Sequence, residues 1–233
     1  MSDAPDWQKV VTVTTSVGEV TDAPDWQRVV VAPGGVPISG GGGGGSTEDI
    51  YPPDDGMYGW SIPFTLSNSA AILTSVGDLG LTRVKAAASG TVGSLYTDVT
   101  IVGSGFTADE NYVGLYQPVL SSGALTSLSL LGSSAAGAAD TPFTTLGIRT
   151  VPLSPGVAVT AGSIYYVGWV TNGSPGRMQL SSTSALTASA QAPPLVYPYS
   201  LTYPGHSLTA LPNSVTVSAC TQYRLLWWWA LGP

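Results

Sequence analysis

From about residue 58 onward, hydrophobic and polar residues alternate along short segments that are separated by clusters of Gly, Ser, Asn and Pro. Examples of these segments are TVGSLYTDVTIV, NYVGLYQPVL, GIRTVPL, GVAVTA and SIYYVGWV. In YTDVTIV the residues expected on one face are Tyr96, Asp98 and Thr100, and those expected on the other are Thr97, Val99 and Ile101. Such alternation is typical of strands with two unlike faces. Many regularly spaced short strands predict an all-β fold, with a C-terminal antiparallel β-sandwich of jelly-roll-like form.

The last predicted strand, in YRLLWWWALGP, is apolar on both of its faces. It places Trp227 and Trp229 on one face and Trp228 on the other. A strand of this kind lies between two packed layers, and one of the layers can belong to another subunit. Three interpretations are open: a strand inside the chain's own core, an oligomer interface, and a platform for a ligand. Our prediction assigns Trp227, Trp228 and Trp229 to an oligomer interface.

The chain begins with a short acidic and aromatic motif, DAPDWQ, that occurs twice, 19 residues apart. We call each copy of this motif a DAPDWQ word. Each copy is followed by a basic residue and a valine-rich run. A proline before an acid and an aromatic residue restricts the backbone, so the word can enter a partner already partly ordered. The residues predicted to dock on a partner are Pro5, Asp6, Trp7, Gln8, Pro24, Asp25, Trp26 and Gln27. The alternative is that both words fold back on the chain's own β domain or on sister chains.

A run of six glycines, Gly40 to Gly45, lies between the repeated words and the β-rich part. A glycine-rich stretch has no side chains to pack and behaves as a flexible tether. The sequence therefore predicts three parts: an extended N-terminal docking arm over residues 1–33, a Gly/Pro-rich linker over 34–57, and a β-sandwich head over 58–233.

Charged residues make up only 9% of the chain, against about 25% in typical soluble domains. The net charge of −7 comes from the first quarter of the chain, because the head holds five acidic and five basic residues. This balance excludes the basic footprint of a nucleic-acid-binding protein and a polybasic membrane-binding segment. The N-terminus resembles no signal peptide, and no apolar run is long enough to insert in a membrane. We expect synthesis in a host cytoplasm.

The residues of the chain do not combine into a convincing catalytic or metal site. The only histidine is His206 and the only cysteine is Cys220, so the familiar zinc sites and Ser-His or Cys-His pairs have too few members. Asp109 and Glu110 lie in a turn beside Asn111, but without the spacing of a calcium loop. We interpret them as a solvated turn, and Cys220 as a small buried apolar residue. The sequence predicts no enzyme, no cofactor and no metal.

A sugar-binding surface requires fewer specific groups than a catalytic or metal site, namely exposed aromatic faces with hydrogen-bonding groups around them. The segment PPLVYPYSLTYPGHS is the most suggestive, and its predicted glycan-binding residues are Tyr197, Tyr199 and Tyr203. The other candidates are Tyr58, Trp60, Tyr116, Trp169 and Asn172, of which Trp169 is interpreted as a core residue.

Two long segments, LTRVKAAASGTVGSLYTDVTIVGSGFTADENYVGLYQP and TVPLSPGVAVTAGSIYYVGWVTNGS, carry a resemblance to a known class of proteins. Together with the APDWQ words, they resemble minor tail and tail-fibre-like proteins of phages that infect actinobacteria. The resemblance covers about residues 58–233 and includes no catalytic signature. It implies a virion protein with an attaching N-terminal segment and a β-sandwich exposed to the host, and it transfers no functional residues.

The sequence therefore predicts a non-enzymatic phage virion protein, a tail appendage or fibre. It would dock on other virion proteins by its N-terminal arm, form a homotrimer, and present its head to a host-surface glycan. The trimer is expected from the two-faced terminal strand, the low charge and the resemblance. The alternatives are a capsid decoration protein or head fibre, a secreted carbohydrate-binding module, and a depolymerase that would use Asp98 or Asp109.

Overall fold

The structure is a computed structural model that divides into two compact units, Met1–Thr47 and Glu48–Pro233. It describes residues 30–31, 37–38, 56–62, 69–72, 76–173, 178–183, 197–204, 207–222 and 226–233. In the first unit, strand β1 (Val30–Val31) pairs antiparallel with β2 (Pro37–Ile38). The two DAPDWQ words, the glycine run and His206 lie outside the described residues.

The second unit contains one large antiparallel sheet, and its described helical segments are α1 (Asp140–Phe143) and a 3₁₀ turn (Val217–Ala219). Its strands are β3 (Gly59–Trp60), β4 (Ser69–Ile72), β5 (Leu79–Ala86), β6 (Gly90–Ile101), β7 (Tyr112–Ser121), β8 (Ala124–Ser133), β9 (Gly147–Val159), β10 (Ile164–Val170), β11 (Gln179–Ser182), β12 (Ser200–Tyr203), β13 (Ser214–Thr216), β14 (Thr221–Gln222) and β15 (Trp229–Gly232). The main path through the sheet is β13-β8-β7-β10-β5-β3-β15-β6-β11-β4, while β9 pairs with β6, and β12 pairs with β5 and β14.

The sheet curls until strands that are distant along its path pack against each other. Strands β8 and β9 are in contact although they are not hydrogen-bonded neighbours. A Cβ atom added at Gly132 of β8 would lie only 2.5 Å from Cγ2 of Val157 in β9. Two parts of one twisted sheet thus enclose the core between them, as in a sandwich or half-barrel. The prediction of an all-β, antiparallel, sandwich-like fold is confirmed.

Three tryptophans meet at the centre of this core. Trp169 of β10 forms an edge-to-face pair with Trp227 at 4.9 Å between ring centroids, and it stacks on Trp229 at 5.5 Å. All three side chains have no exposed surface. Offset and edge-to-face arrangements are the favourable geometries for aromatic pairs. The tryptophan-rich end of the chain therefore joins the two parts of the curled sheet from within.

The other face of the terminal strand is buried by the same chain. Trp228 is only 4% exposed and packs in a second cluster with Ile62, Leu226 and Ala230. Side chains buried this completely within one chain have almost no surface to offer to a second chain. The burial therefore corrects the prediction that the three consecutive tryptophans form an oligomer interface: they form an intramolecular core strand, which was one of the open interpretations.

Several aromatic rings in the sheet lie over glycines of neighbouring strands. A Cβ atom at Gly80 of β5 would collide with Cζ2 of Trp169, and one at Gly168 of β10 would lie 2.6 Å from Cε2 of Tyr116. Glycine weakens a strand by itself, but here its missing side chain makes room for a large ring. These close contacts explain why glycine occurs inside β5 and β10.

Candidate functional site

An aromatic and charged surface crosses four adjacent strands, on the face of the sheet opposite the main core. In the register of the sheet, Lys85 of β5 lies opposite Trp60 of β3, Trp60 opposite Ala230 of β15, and Ala230 opposite Tyr96 of β6. Residues that lie opposite each other in an antiparallel pair project to the same face. We call this surface the aromatic face and define it by Trp60, Arg83, Lys85, Tyr96, Asp98 and Tyr199.

Tyr96 has an orientation suited to stacking. A Cβ atom at Gly232 would collide with Cε2 of its ring and would lie 3.1 Å from Sδ of Met57. The ring therefore lies across β15, over a glycine, instead of standing away from the sheet. Tyr96 is half-buried, so part of its surface remains accessible.

Trp60 and Tyr96 lie on either side of Ala230. The two outer strands, β3 and β6, are two inter-strand spacings apart, about 10 Å. Ala230 has no exposed surface, because the half-buried rings of Trp60 and Tyr96 pack on the cluster to which it belongs. The partly exposed rings of Trp60 and Tyr96 thus form an apolar surface at the edge of this buried cluster.

Arg83 forms the cationic end of the aromatic face together with Lys85. Its Cζ atom lies 3.8 Å from the ring centroid of Tyr199, a cation–π contact. Its Nη1 donates a hydrogen bond to the carbonyl oxygen of Tyr197 at 3.0 Å, and its backbone N–H donates to the carbonyl of Tyr199 at 2.8 Å. The guanidinium is thus held in place by the segment that precedes β12, whereas Lys85 is exposed to solvent.

Asp98 lies on the opposite side of this apolar surface from these two cations. It is on β6, two residues after Tyr96 and on the same face. The hydroxyl of Ser181 donates a hydrogen bond to its Oδ2 at 2.6 Å. The aromatic face therefore runs from a positive end on β5, over aromatic rings, to a carboxylate on β6.

The structure separates the three tyrosines that were predicted from the sequence to bind a glycan. Tyr199 belongs to the aromatic face, and Tyr197 contributes a carbonyl oxygen to it. Tyr203 lies opposite Leu79, at the far end of β5 from Lys85, about 20 Å along the strand. It packs in a different cluster with Leu201. The three tyrosines therefore do not form one surface.

Among the other aromatic and polar candidates, only Trp60 lies on the aromatic face. Tyr116 and Trp169 have no exposed surface. Tyr58 packs against the main core. Asn172 is 7% exposed, and its amide donates hydrogen bonds to the carbonyl oxygens of Glu110 and Leu208. Apart from Trp60, these candidates therefore contribute packing and hydrogen bonds to the fold.

The turn that carries Asp109 and Glu110 is built around Asn111, which has no exposed surface. The amide of Asn111 donates to Oδ1 of Asp140 at 2.7 Å, and its oxygen accepts the backbone N–H of Asn172 at 2.8 Å. Asp109 is exposed, as expected for a solvated turn. Among the residues that the structure describes, no group of three or more His, Cys, Asp and Glu side chains is placed to hold a metal ion.

The pKa values of three side chains are raised by burial. The pKa of Cys220 rises to about 11 because its thiol is desolvated. The pKa values of Tyr116 and Tyr166 rise well above their ordinary value for the same reason. Cys220 is half-buried, which corrects the expectation that it is fully buried, and it remains a protonated, weakly reactive thiol at neutral pH. None of the three belongs to the aromatic face.

Three residues of the aromatic face, Arg83, Lys85 and Tyr96, were not predicted as site residues, although the sequence carries a local signal for them. In TRVK and YTDVT, the strand alternation puts Arg83 on the same face as Lys85, and Tyr96 on the same face as Asp98. What the pattern lacked was the information that β5 and β6 lie on either side of β3 and β15.

Comparisons with known proteins place the chain in no family. No protein-family model and no curated protein matches it. Its fold is similar to that of a clostridial cysteine protease, Cwp84 after propeptide cleavage, with 10% sequence identity and a TM-score of 0.34 over 72% of this chain and 38% of that chain. It is also similar to a structure of the cysteine protease and lectin-like domains of Cwp84, a surface layer associated protein of Clostridium difficile, with 10% identity and a TM-score of 0.32 over 71% of this chain and 36% of that chain. The chain spans well under half the length of these proteins, and likenesses this distant carry no information on activity.

In the described part of the chain, no helix is long and apolar enough to cross a membrane.

Proposed function

We propose that the chain is a non-enzymatic virion protein, a tail appendage or fibre, that docks on the particle through residues 1–33 and adheres to a host-surface glycan. The observation that carries the glycan part is the aromatic face. The partly exposed rings of Trp60 and Tyr96, the second of which lies over Gly232, offer stacking surfaces for sugar rings, and polar groups at both ends supply hydrogen bonds. Docking through the arm is supported by the two DAPDWQ words and by the resemblance to phage tail proteins.

Homotrimer formation remains part of the proposal, without the assignment to the three consecutive tryptophans. The low charge of the head and the resemblance support it. Sedimentation or mass measurement at micromolar concentration tests it, and a monomer would remove this element while leaving the glycan and docking elements in place.

Glycan adhesion is tested by binding of the purified full chain to cell-wall polysaccharide from an actinobacterium. Replacing Tyr96 by Ala removes the ring that lies over Gly232, and we expect the affinity to fall about tenfold. Tyr203→Ala is the matched control, because this half-buried tyrosine lies far from the aromatic face. Equal binding by the wild type and both variants would show that the adhesion site lies elsewhere.

Docking is tested separately by deleting residues 1–33 and measuring how many copies remain on purified particles. We expect the truncated chain to be absent from particles, because both repeated words are lost. Retention at normal copy number would refute docking by the arm. Labelling of particles that carry the full chain distinguishes a tail appendage from a capsid decoration.

A further inference from the structure

Lys and Arg residues are rare in this chain, and two of them lie beside the aromatic rings of the aromatic face. The described part of the head contains only three Lys and Arg residues, Arg83, Lys85 and Arg149, and two of them lie on this one face. In a chain with a net charge of −7, this placement makes the β5 end of the aromatic face a local exception. Anionic groups are attracted to such an end.

The two cations are arranged differently, and together they suit a carboxylate. Arg83 is fixed on the ring of Tyr199 and by the carbonyl of Tyr197, so it provides a positioned charge. Lys85 is exposed and lies opposite Trp60, so its ammonium group can reach an acid on a sugar that stacks on that ring. Asp98, at the other end, would repel an anion and instead accepts hydrogen bonds from hydroxyl groups.

We propose that the aromatic face selects glycans that contain uronic acids, with the sugar rings on Trp60 and Tyr96 and a carboxylate at Arg83 and Lys85. This inference rests on the proposed glycan-binding function and names its ligand class. A uronic acid carries a ring face and a carboxylate in the same residue, which matches an aromatic surface with a cation at its edge. A polymer of glycerol phosphate has the negative charge but no ring face for the aromatic surface.

The test measures binding of the full chain to three probes: an oligogalacturonate, the same oligosaccharide with its carboxyl groups reduced to alcohols, and polyglycerol phosphate. We expect the oligogalacturonate to bind most tightly and to lose affinity as salt rises, because Lys85 is exposed to solvent and Arg83 is partly exposed. Lys85→Gln removes one exposed charge and should weaken this binding about threefold, with little effect on the reduced probe.

Arg149→Gln is the matched control for loss of a positive charge. Arg149 lies opposite Thr97, on the other face of the sheet from Tyr96, and we expect it to leave binding unchanged. Circular dichroism and the thermal midpoint establish that both variants are folded.

The other results of this test distinguish a failure of uronic-acid selection from a failure of glycan adhesion. Equal affinity for the charged and reduced probes would overturn selection for uronic acids and leave glycan adhesion standing. Equal or tighter binding of polyglycerol phosphate would overturn the choice of a carboxylate-bearing ring. If neither sugar probe nor the cell-wall polysaccharide binds, the proposed adhesion function itself fails.

Discussion

At the scale of single residues, large aromatic rings and glycines are packed as complementary pairs. Trp169 occupies the space above Gly80 while it also contacts Trp227 and Trp229. Its ring is therefore surrounded on several sides and has little freedom to move aside. A densely packed core of this kind tolerates neither an added methyl group nor a lost one without cost.

Replacing Gly80 by Ala should lower the free energy of unfolding by about 3 kcal/mol, because the new Cβ would collide with the ring of Trp169. Urea unfolding followed by tryptophan fluorescence measures the change. The control is Gly156→Ala, at an exposed strand position where the added Cβ would lie 3.0 Å from a side-chain methyl of Thr91. We expect a clearly smaller loss there, and equal losses would contradict the packing argument.

The buried tyrosines should make the fold sensitive to alkaline pH. Burial raises the pKa of Tyr116 and Tyr166 above their ordinary value of 10.0, so the folded state holds these protons more tightly than the unfolded state. Their contribution to stability is complete below pH 10.0 and is lost as the pH rises above it.

Tyr166→Phe tests this effect. It should lower stability at pH 7 by about 1 kcal/mol, because the hydroxyl no longer donates to the carbonyl of Pro198. It should also make the decline between pH 9 and pH 11 shallower than in the wild type, as measured by urea unfolding at each pH. Parallel declines would show that ionisation of Tyr166 is not part of the alkaline transition.

At the scale of elements, one hydroxyl from the other end of the head adds two hydrogen bonds to the backbone at the start of β15. The hydroxyl of Ser61 donates to the carbonyl oxygen of Trp227 at 2.7 Å and accepts the backbone N–H of Trp229 at 2.9 Å. The backbone N–H of Ser61 also donates to the carbonyl oxygen of Trp229 at 2.8 Å. Ser61 thereby continues the pairing of β3 with β15 where the regular ladder ends.

Ser61→Ala should destabilise the fold by about 2 kcal/mol, since it takes away the hydrogen-bond partner of a partly buried backbone N–H. Thermal and urea unfolding give the value. Thr126→Ala removes a hydroxyl of similar size whose hydrogen bond, to the carbonyl of Val119, is exposed. That control should change stability by less than about 0.5 kcal/mol. If both substitutions cost the same, the bridge at Ser61 has no special role.

At the scale of the whole molecule, the head should be an autonomous folding unit. The chain divides between Thr47 and Glu48, and the sheet with its core lies within the second unit. A chain that starts at Glu48 should therefore unfold at the same temperature as the full chain, within about 2 °C. Differential scanning calorimetry of both chains makes the comparison. A much lower midpoint for the shorter chain would show that residues 1–47 stabilise the head.

Much of the local structure could be predicted from the sequence, because strand alternation is a property of neighbouring residues. The segment around Tyr96 is an example: Thr97 and Val99 are buried, whereas Tyr96, Asp98 and Thr100 are partly exposed. Ile101, at the end of the strand, is 43% exposed, because no further residue of β6 continues the core beyond it. The antiparallel sandwich followed from many such segments. Local periodicity does not, however, say which strand lies beside which.

By itself, the sequence determined the all-β class, the two faces of each strand and the scarcity of catalytic groups, since these depend on residue type and spacing alone. Only the tertiary structure decided the position of β15 between β3 and β6, and hence the burial of its tryptophans on both faces. It also decided that Trp60, Tyr96 and Lys85 share one surface. The reason is that contacts such as Ser61 with Trp229, 168 residues apart, arise from the pairing of distant strands, about which no short segment carries information.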